Sequence, residues 1–321
     1  MQADSVTFIS TTKKSKRLRK PGKHGRYQLF LMALPFLILA FLFSYLPLYG
    51  WIYAFYDYSP ALGISQSPYV GLKWFTTMVS NEVQRAEIVR VMRNTLAMNL
   101  LGLMTSVVPV IFAIFLMEIK STWYKKMVQI LTTLPNFISW VLVSAFVFTL
   151  FSTQSGFINQ VLMNLGWISE PINYLASDDH IWIKMTLLEM WKGLGWGSIL
   201  YIAAIAGIDQ ELYEAAKVDG AGRFRLMWHV TLPGLMPTYF VLLMLSIAGF
   251  ISAGFEQFYV FKNPVNLQYI EVLDLYVYNI GIASSSFSYS TAVSILKSLI
   301  SIILLFVANR LSKIVRGETI I

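Results

Sequence analysis

The stretch ELYEAAKVDGAGRFRLMWHVTLP, Glu211 to Pro233, is a charged island between two long apolar runs, and the rest of the chain is organised around it. Glu211, Leu212, Glu214, Ala215, Ala216 and Lys217 are good helix formers. Asp209 is a suitable N-cap, and acids in the first turn sit at the positive end of the helix dipole. Gly220 then ends the helix, because glycine enters the left-handed region without a Cβ penalty. A basic and aromatic segment, Arg223, Phe224, Arg225, Met227 and Trp228, runs on to Pro233, where the next helix is expected to start afresh. These residues predict a hairpin of two short helices projecting from one side of a membrane.

The membrane follows from composition. Of 321 residues, 56% are hydrophobic, 15% aromatic and only 13% charged, which excludes a soluble globular domain. Six apolar runs, at about 27–53, 94–117, 127–151, 181–208, 234–260 and 287–309, are each long enough to cross roughly 30 Å of hydrocarbon at about 1.5 Å per residue. The expected fold is therefore an all-α polytopic membrane protein. It has a basic tail at 1–26, a six-helix domain at 27–309 containing the loop 209–233, and a second tail at 310–321. The first run is too long for the apolar core of a signal peptide and lacks a small-residue cleavage site, so it reads as a retained span.

The net charge of +8 is explained by where the charges lie. Eight basic residues precede the first run: Lys13, Lys14, Lys16, Arg17, Arg19, Lys20, Lys23 and Arg26. Nine more fall in segments on the same side: Lys120, Lys125 and Lys126, then Lys217, Arg223 and Arg225, then Arg310, Lys313 and Arg316. The positive-inside rule makes that side cytoplasmic, with both termini on it. Residues 152–180, on the other side, carry Glu170, Asp178 and Asp179 and no Lys or Arg. The basic tail is thus read as facing anionic lipid headgroups rather than nucleic acid. The chain has no cysteine, and His24, His180 and His229 are scattered over different segments, so neither a thiol nor a histidine metal site is expected.

At Glu214, Ala215, Ala216, Gly220, Val230, Leu232 and Pro233 the chain resembles the EAA loop of membrane subunits of binding-protein-dependent ATP-binding-cassette importers, with Val230 where that family usually has isoleucine. The resemblance implies that the loop is a coupling helix seated in a cleft of a cytosolic ATPase. The residues it assigns to ATPase coupling are Glu211, Glu214, Ala215, Ala216, Asp219, Gly220, Phe224, Leu232 and Pro233. A second run, YLPLYGWIYAFYDYSPALGISQSPYVGLKWF from Tyr45 to Phe75, is similar to the N-terminal signature of importer subunits serving complex oligosaccharides, related to maltose permeases. Together the two imply a multi-pass subunit of the bacterial cytoplasmic membrane forming half of a pathway. Its implied partners are a second related permease subunit, two copies of an ATPase subunit that bind ATP and Mg, and an extracytoplasmic solute-binding protein. No cofactor is implied on this chain, which has no GxxxxGK[ST] phosphate loop.

Polar groups inside spans carry the pathway hypothesis, because charge in hydrocarbon is costly. The expected pathway residues are Glu189, Trp191, Lys192, Trp196, Ser246, Glu256, Gln257, Tyr259 and Lys297. Glu189, Lys192 and Trp196 share one helical face, and Ser246, Gly249, Ala253 and Glu256 with Gln257 make a small and polar stripe in span five. Glu189 is the expected partner of Lys192 or Lys297 and the one acid at their depth, which would leave the pathway positive and suited to a uronate-containing cargo. Gly193, Gly195 and Gly197 read as helix packing or local unwinding. The rival readings are an ion-gradient-coupled carrier, titrating Glu189 and Lys297, and a non-transporting membrane scaffold.

Overall fold

A computed structural model describes residues 23–174 and 180–316. The expectations resting on Lys13, Lys14, Lys16, Arg17, Arg19 and Lys20, and on Asp178 and Asp179, fall outside the described residues. The described chain is helical, with one isolated antiparallel bridge between Tyr56 and Tyr69. It divides into two units between Gly50 and Trp51. The first unit contains helix α1 (Lys23–Ala40), whose Phe30, Met32 and Phe36 are exposed, as side chains facing lipid would be.

Among the described residues four helices are long and apolar enough to cross a membrane: Phe30–Phe55, Glu82–Met117, Arg223–Ala248 and Phe287–Lys313. Two bent pairs also qualify, Thr122–Phe137 with Trp140–Phe151 at 104° and Ile181–Ala206 with Gln210–Val218 at 71°. Counting each pair as one span gives the expected six.

Several helices depart from the expected boundaries, each for a local reason. The second span starts at Glu82 rather than near 94, as α2 (Glu82–Thr105) followed by α3 (Val107–Met117). The Asn81 side chain caps α2 by accepting from the backbone N–H of Val83 and Gln84, and its charged first turns had hidden the helix from a hydropathy reading. The third span is not continuous. It consists of α4 (Thr122–Thr133), a tight turn at Leu134–Phe137 containing Pro135, and α5 (Trp140–Phe151) capped by Ser139. At 12 residues each, α4 and α5 are about 18 Å long, so neither crosses hydrocarbon alone.

Helix α6 (Ile181–Ala206) lies at the centre of the second unit and packs against α2, α3 and α4. It is unbroken through Gly193, Gly195 and Gly197, so the chain does not unwind there, and close packing is confined to Gly195 and, less tightly, Gly197. A Cβ on Gly195 would sit 2.4 Å from the backbone of Thr132 and Thr133, whereas one on Gly193 meets nothing within 4 Å. Gly195→Ala is therefore expected to lower stability by about 1–3 kcal/mol through overpacking against a backbone that cannot give way. Gly193→Ala should be neutral or stabilise by up to about 1 kcal/mol from helix propensity. Unfolding of the two detergent-solubilised variants tests the contrast, and equal shifts would refute it.

After α6 the chain continues as α7 (Gln210–Val218), α8 (Arg223–Leu226) and α9 (Leu232–Ala248). The two short helices form as expected, but the expected helix break at Pro233 is corrected here. A wide π-turn at Met227–Thr231 joins α8 to α9, so Arg223–Ala248 is a single helix. Proline normally interrupts a helix because its ring meets the carbonyl four residues back, and the widened turn ahead of Pro233 relieves that clash.

The fifth span is shorter than expected. Helix α9 stops at Ala248, and after an irregular stretch α10 (Glu256–Phe261) begins, so Ser246 and Glu256 do not share a helix. Helix α11 (Leu273–Tyr278) and then α12 (Phe287–Arg316) complete the chain, and α12 runs past the expected end near 309 because nothing between Asn309 and Arg316 breaks it. Three buried clusters hold the second unit, centred on Val91 with Tyr289, on Met185 with Phe258, and on Ala113 with Tyr201.

Candidate functional site

The Glu211–Pro233 segment is built by its own sequence. Asp209 caps α7 by accepting from the Glu211 N–H at 3.0 Å. Gly220 stands at φ +75°, with its N–H bonded to the Lys217 carbonyl and the Ala221 N–H to the Ala216 carbonyl. That pair of bonds is a Schellman turn, closed by a residue other than glycine only at a cost. Glu211, Glu214, Ala215, Asp219, Gly220, Phe224 and Pro233 are exposed; Ala216 and Leu232 are half-buried.

One side-chain contact holds the segment together and another fixes it to the bundle. Tyr213 Oη lies 3.0 Å from Thr231 Oγ1, tying α7 to the π-turn, and Arg223 Nε donates to Glu118 Oε2 at 2.9 Å. A second Arg223 nitrogen donates to the Glu118 carbonyl at 2.7 Å, which places the end of α3 beside the start of α8. Leu212, Val218, Phe224 and Trp228 remain 56%, 87%, 78% and 69% exposed, an apolar surface that the described residues leave uncovered.

A cavity of 320 Å³ opens between α2, α6 and α9, lined by Asn99, Ser106, Glu189, Ser246, Gly249 and Ser252 among others. Of the nine expected pathway residues it brings Glu189 and Ser246 together. Trp191 and Trp196 are exposed elsewhere, Trp196 edge-on to Phe137 with ring centroids 5.9 Å apart. Gln257 is buried and donates to the Met185 carbonyl at 2.8 Å, which fastens α10 to α6. Glu256 and Tyr259 are exposed on the other face of that short helix.

Neither expected lysine pair with Glu189 forms. Lys192 Nζ donates to the Asn136 carbonyl at 2.9 Å and lies 5.3 Å from the Trp140 ring centroid. Lys297 pairs with Asp274 of α11. Asp274, an acid that the sequence reading had left in an outer loop, thus neutralises one of the two lysines on which a positive pathway rested.

Sequence reasoning also missed a polar network at the end of the bundle opposite Arg223. Arg90 donates to Glu271 Oε2 at 2.7 Å, Asn279 Nδ2 to Glu271 Oε1 at 2.6 Å, and Lys262 Nζ to Asn279 Oδ1 at 3.0 Å. Asn94, fully buried, donates to the carbonyls of Gln268 and Glu271. The early charges of α2 were the available signal: buried charges need partners.

Comparison with known proteins identifies this arrangement. Residues 106–317 match the family model described as binding-protein-dependent transport system inner membrane component. Protein LplB of Bacillus subtilis (strain 168) is 41% identical over 286 residues, 89% of this chain and 88% of that protein. The polygalacturonan/rhamnogalacturonan transport system permease protein YteP of the same organism is 40% identical over 313 residues, 97% of this chain and 94% of that protein. A crystal structure of a bacterial ABC transporter involved in the import of the acidic polysaccharide alginate superposes with a TM-score of 0.81 at 30% identity, covering 90% of this chain and 96% of that one. A second, in complex with alginate pentasaccharide-bound periplasmic protein, also gives a TM-score of 0.81, at 29% identity over 92% of this chain and 96% of that one. This chain therefore belongs to the inner-membrane permease components of binding-protein-dependent ABC transporters.

Proposed function

We propose that this chain is one permease subunit of an ATP-driven importer of uronate-containing oligosaccharides. The observation that carries this reading is 40% identity along 97% of the chain to a polygalacturonan/rhamnogalacturonan permease, and the likeness to the alginate importer supports the same class of cargo. The chain supplies half of the pathway beside a second related permease subunit. An extracytoplasmic binding protein delivers the cargo, and two copies of a cytosolic ATPase, which bind ATP and Mg, drive its passage.

In this reading the Arg223 end faces the cytoplasm, with both termini, and the exposed Glu214, Val218, Phe224 and Trp228 meet the ATPase. The cavity holding Asn99, Ser106 and Glu189 supplies hydrogen-bond partners for sugar hydroxyls. The test is uptake of tetragalacturonate by the complete complex in proteoliposomes. Uptake is expected to require ATP and to proceed with no ion gradient. Uptake that follows an imposed proton or sodium gradient without ATP would replace this reading with a secondary carrier.

A further inference from the structure

Lys297 is paired with a carboxylate, whereas Lys262, like Lys192, is held by a neutral oxygen and an aromatic ring. Lys262 follows α10 directly, and its ammonium lies 4.5 Å from the centroid of the Tyr259 ring. Tyr259 packs against Phe255 at 5.1 Å and Tyr278 at 5.4 Å, and Phe255 against Tyr278 at 4.8 Å, so three rings form one group on an irregular wall. Tyr259 is 40% exposed within that group.

The ammonium of Lys262 is held by neutral groups rather than by a carboxylate. Arg90 and Glu271 cancel each other, and Asn279, bonded to both Glu271 and Lys262, is neutral. Among the described residues no carboxylate oxygen lies within 4 Å of the Lys262 ammonium. With three donors and one hydrogen bond to Asn279, the ammonium keeps donor capacity for a further acceptor. Phe258, on the same short helix as Tyr259, lines the cavity already described, and so do Ser252 and Ala253 just before Phe255.

We infer that Lys262 with Tyr259, Tyr278 and Phe255 forms a uronate subsite at the outer end of the pathway, where the ammonium takes the carboxylate of a sugar ring and an aromatic face takes its apolar side. This rests on the uronate reading above and gives it a residue that the sequence alone did not single out. The chemistry is selective because a charge-assisted hydrogen bond is made only to the acidic sugar, while the ring contact is common to acidic and neutral ones.

The experiment measures ATP hydrolysis by the complete complex, stimulated by its binding protein loaded with tetragalacturonate or with the carboxyl-reduced neutral tetrasaccharide. The binding protein is the same in every arm, so a change in the acid-to-neutral ratio between variants belongs to this subunit. Lys262→Gln is expected to lower the ratio about tenfold by reducing the response to the acidic sugar alone. Lys262→Arg should keep the ratio, and Tyr259→Ala should reduce both responses together. Lys262→Met, which preserves the stem of the side chain, provides the same comparison should the glutamine variant fail to assemble. A ratio unchanged in both charge-removing variants, or a fall in both responses alike, overturns the subsite. A wild-type complex that responds better to the neutral sugar overturns the uronate reading itself.

Discussion

Gly220→Val is expected to leave the subunit in the membrane and to reduce substrate-stimulated ATP hydrolysis by the assembled complex at least about tenfold. Gly220 is at φ +75°, and a Cβ there would meet no atom within 4 Å, so the penalty is backbone strain and not crowding. Holding a β-branched residue in that region costs about 1–3 kcal/mol, and the Schellman turn is relieved by opening. Opening it releases α7 from its fixed angle to α8 while leaving the membrane helices packed. Gly222→Val is the control, because Gly222 has φ −74° and open space, and valine fits there without strain. Glu214→Ala, at an exposed position, should weaken association with the ATPase without altering the fold of this chain. Full stimulated activity in the Gly220 variant, or equal losses at Gly220 and Gly222, would detach coupling from this turn.

Glu271→Ala is expected to be the most destabilising single change, by about 3–5 kcal/mol, because it strands a partly buried Arg90 and an Asn279 amide. The Glu271 and Arg90 side chains are only 6% and 24% exposed, so water replaces the lost partner incompletely. Adding Arg90→Ala should recover part of the loss, since the pair would then vanish with no charge left behind. Asp57→Ala removes a pair with Lys73 whose side chains are 48% and 50% exposed, and its effect should stay within about 1 kcal/mol. Denaturant unfolding of the solubilised variants measures all three. Similar losses for Glu271→Ala and Asp57→Ala would mean that the Arg90 pair is not a clamp on the segment around α11.

What the sequence revealed and what it concealed divide along physical lines. Asp209 as a cap and Gly220 as a helix stop were legible because each acts on its own backbone within a few residues. The number of apolar runs was legible from composition. The interruptions at Pro135 and after Ala248 were not, since hydropathy averaged over a window is blind to whether the helix inside it is continuous. Pro233 misled in the opposite direction: its usual effect was cancelled by a π-turn that no single residue announces. The Lys297–Asp274 pair depended on how α11 folds back against α12, which is a tertiary fact. Of the cavity-lining residues, Glu189 stood out because charge in a span demands an explanation. Lys262 did not, because it lay at a helix end where lysine is ordinary.

The continuity of Arg223–Ala248 has a mechanical consequence. Its 26 residues make a stiff rod of about 39 Å, with Arg223 at one end and the cavity-lining Gly249 just beyond the other. A tilt applied at Arg223 is delivered whole to the far end, whereas α7 meets α6 through the 71° bend at the Asp209 cap, a joint that can flex. The segment thus behaves as a crank with one rigid arm and one hinged arm. In the importer proposed above, work done at the exposed elbow would reach the cavity along the rigid arm, and the irregular backbone after Ala248 would take up that stroke.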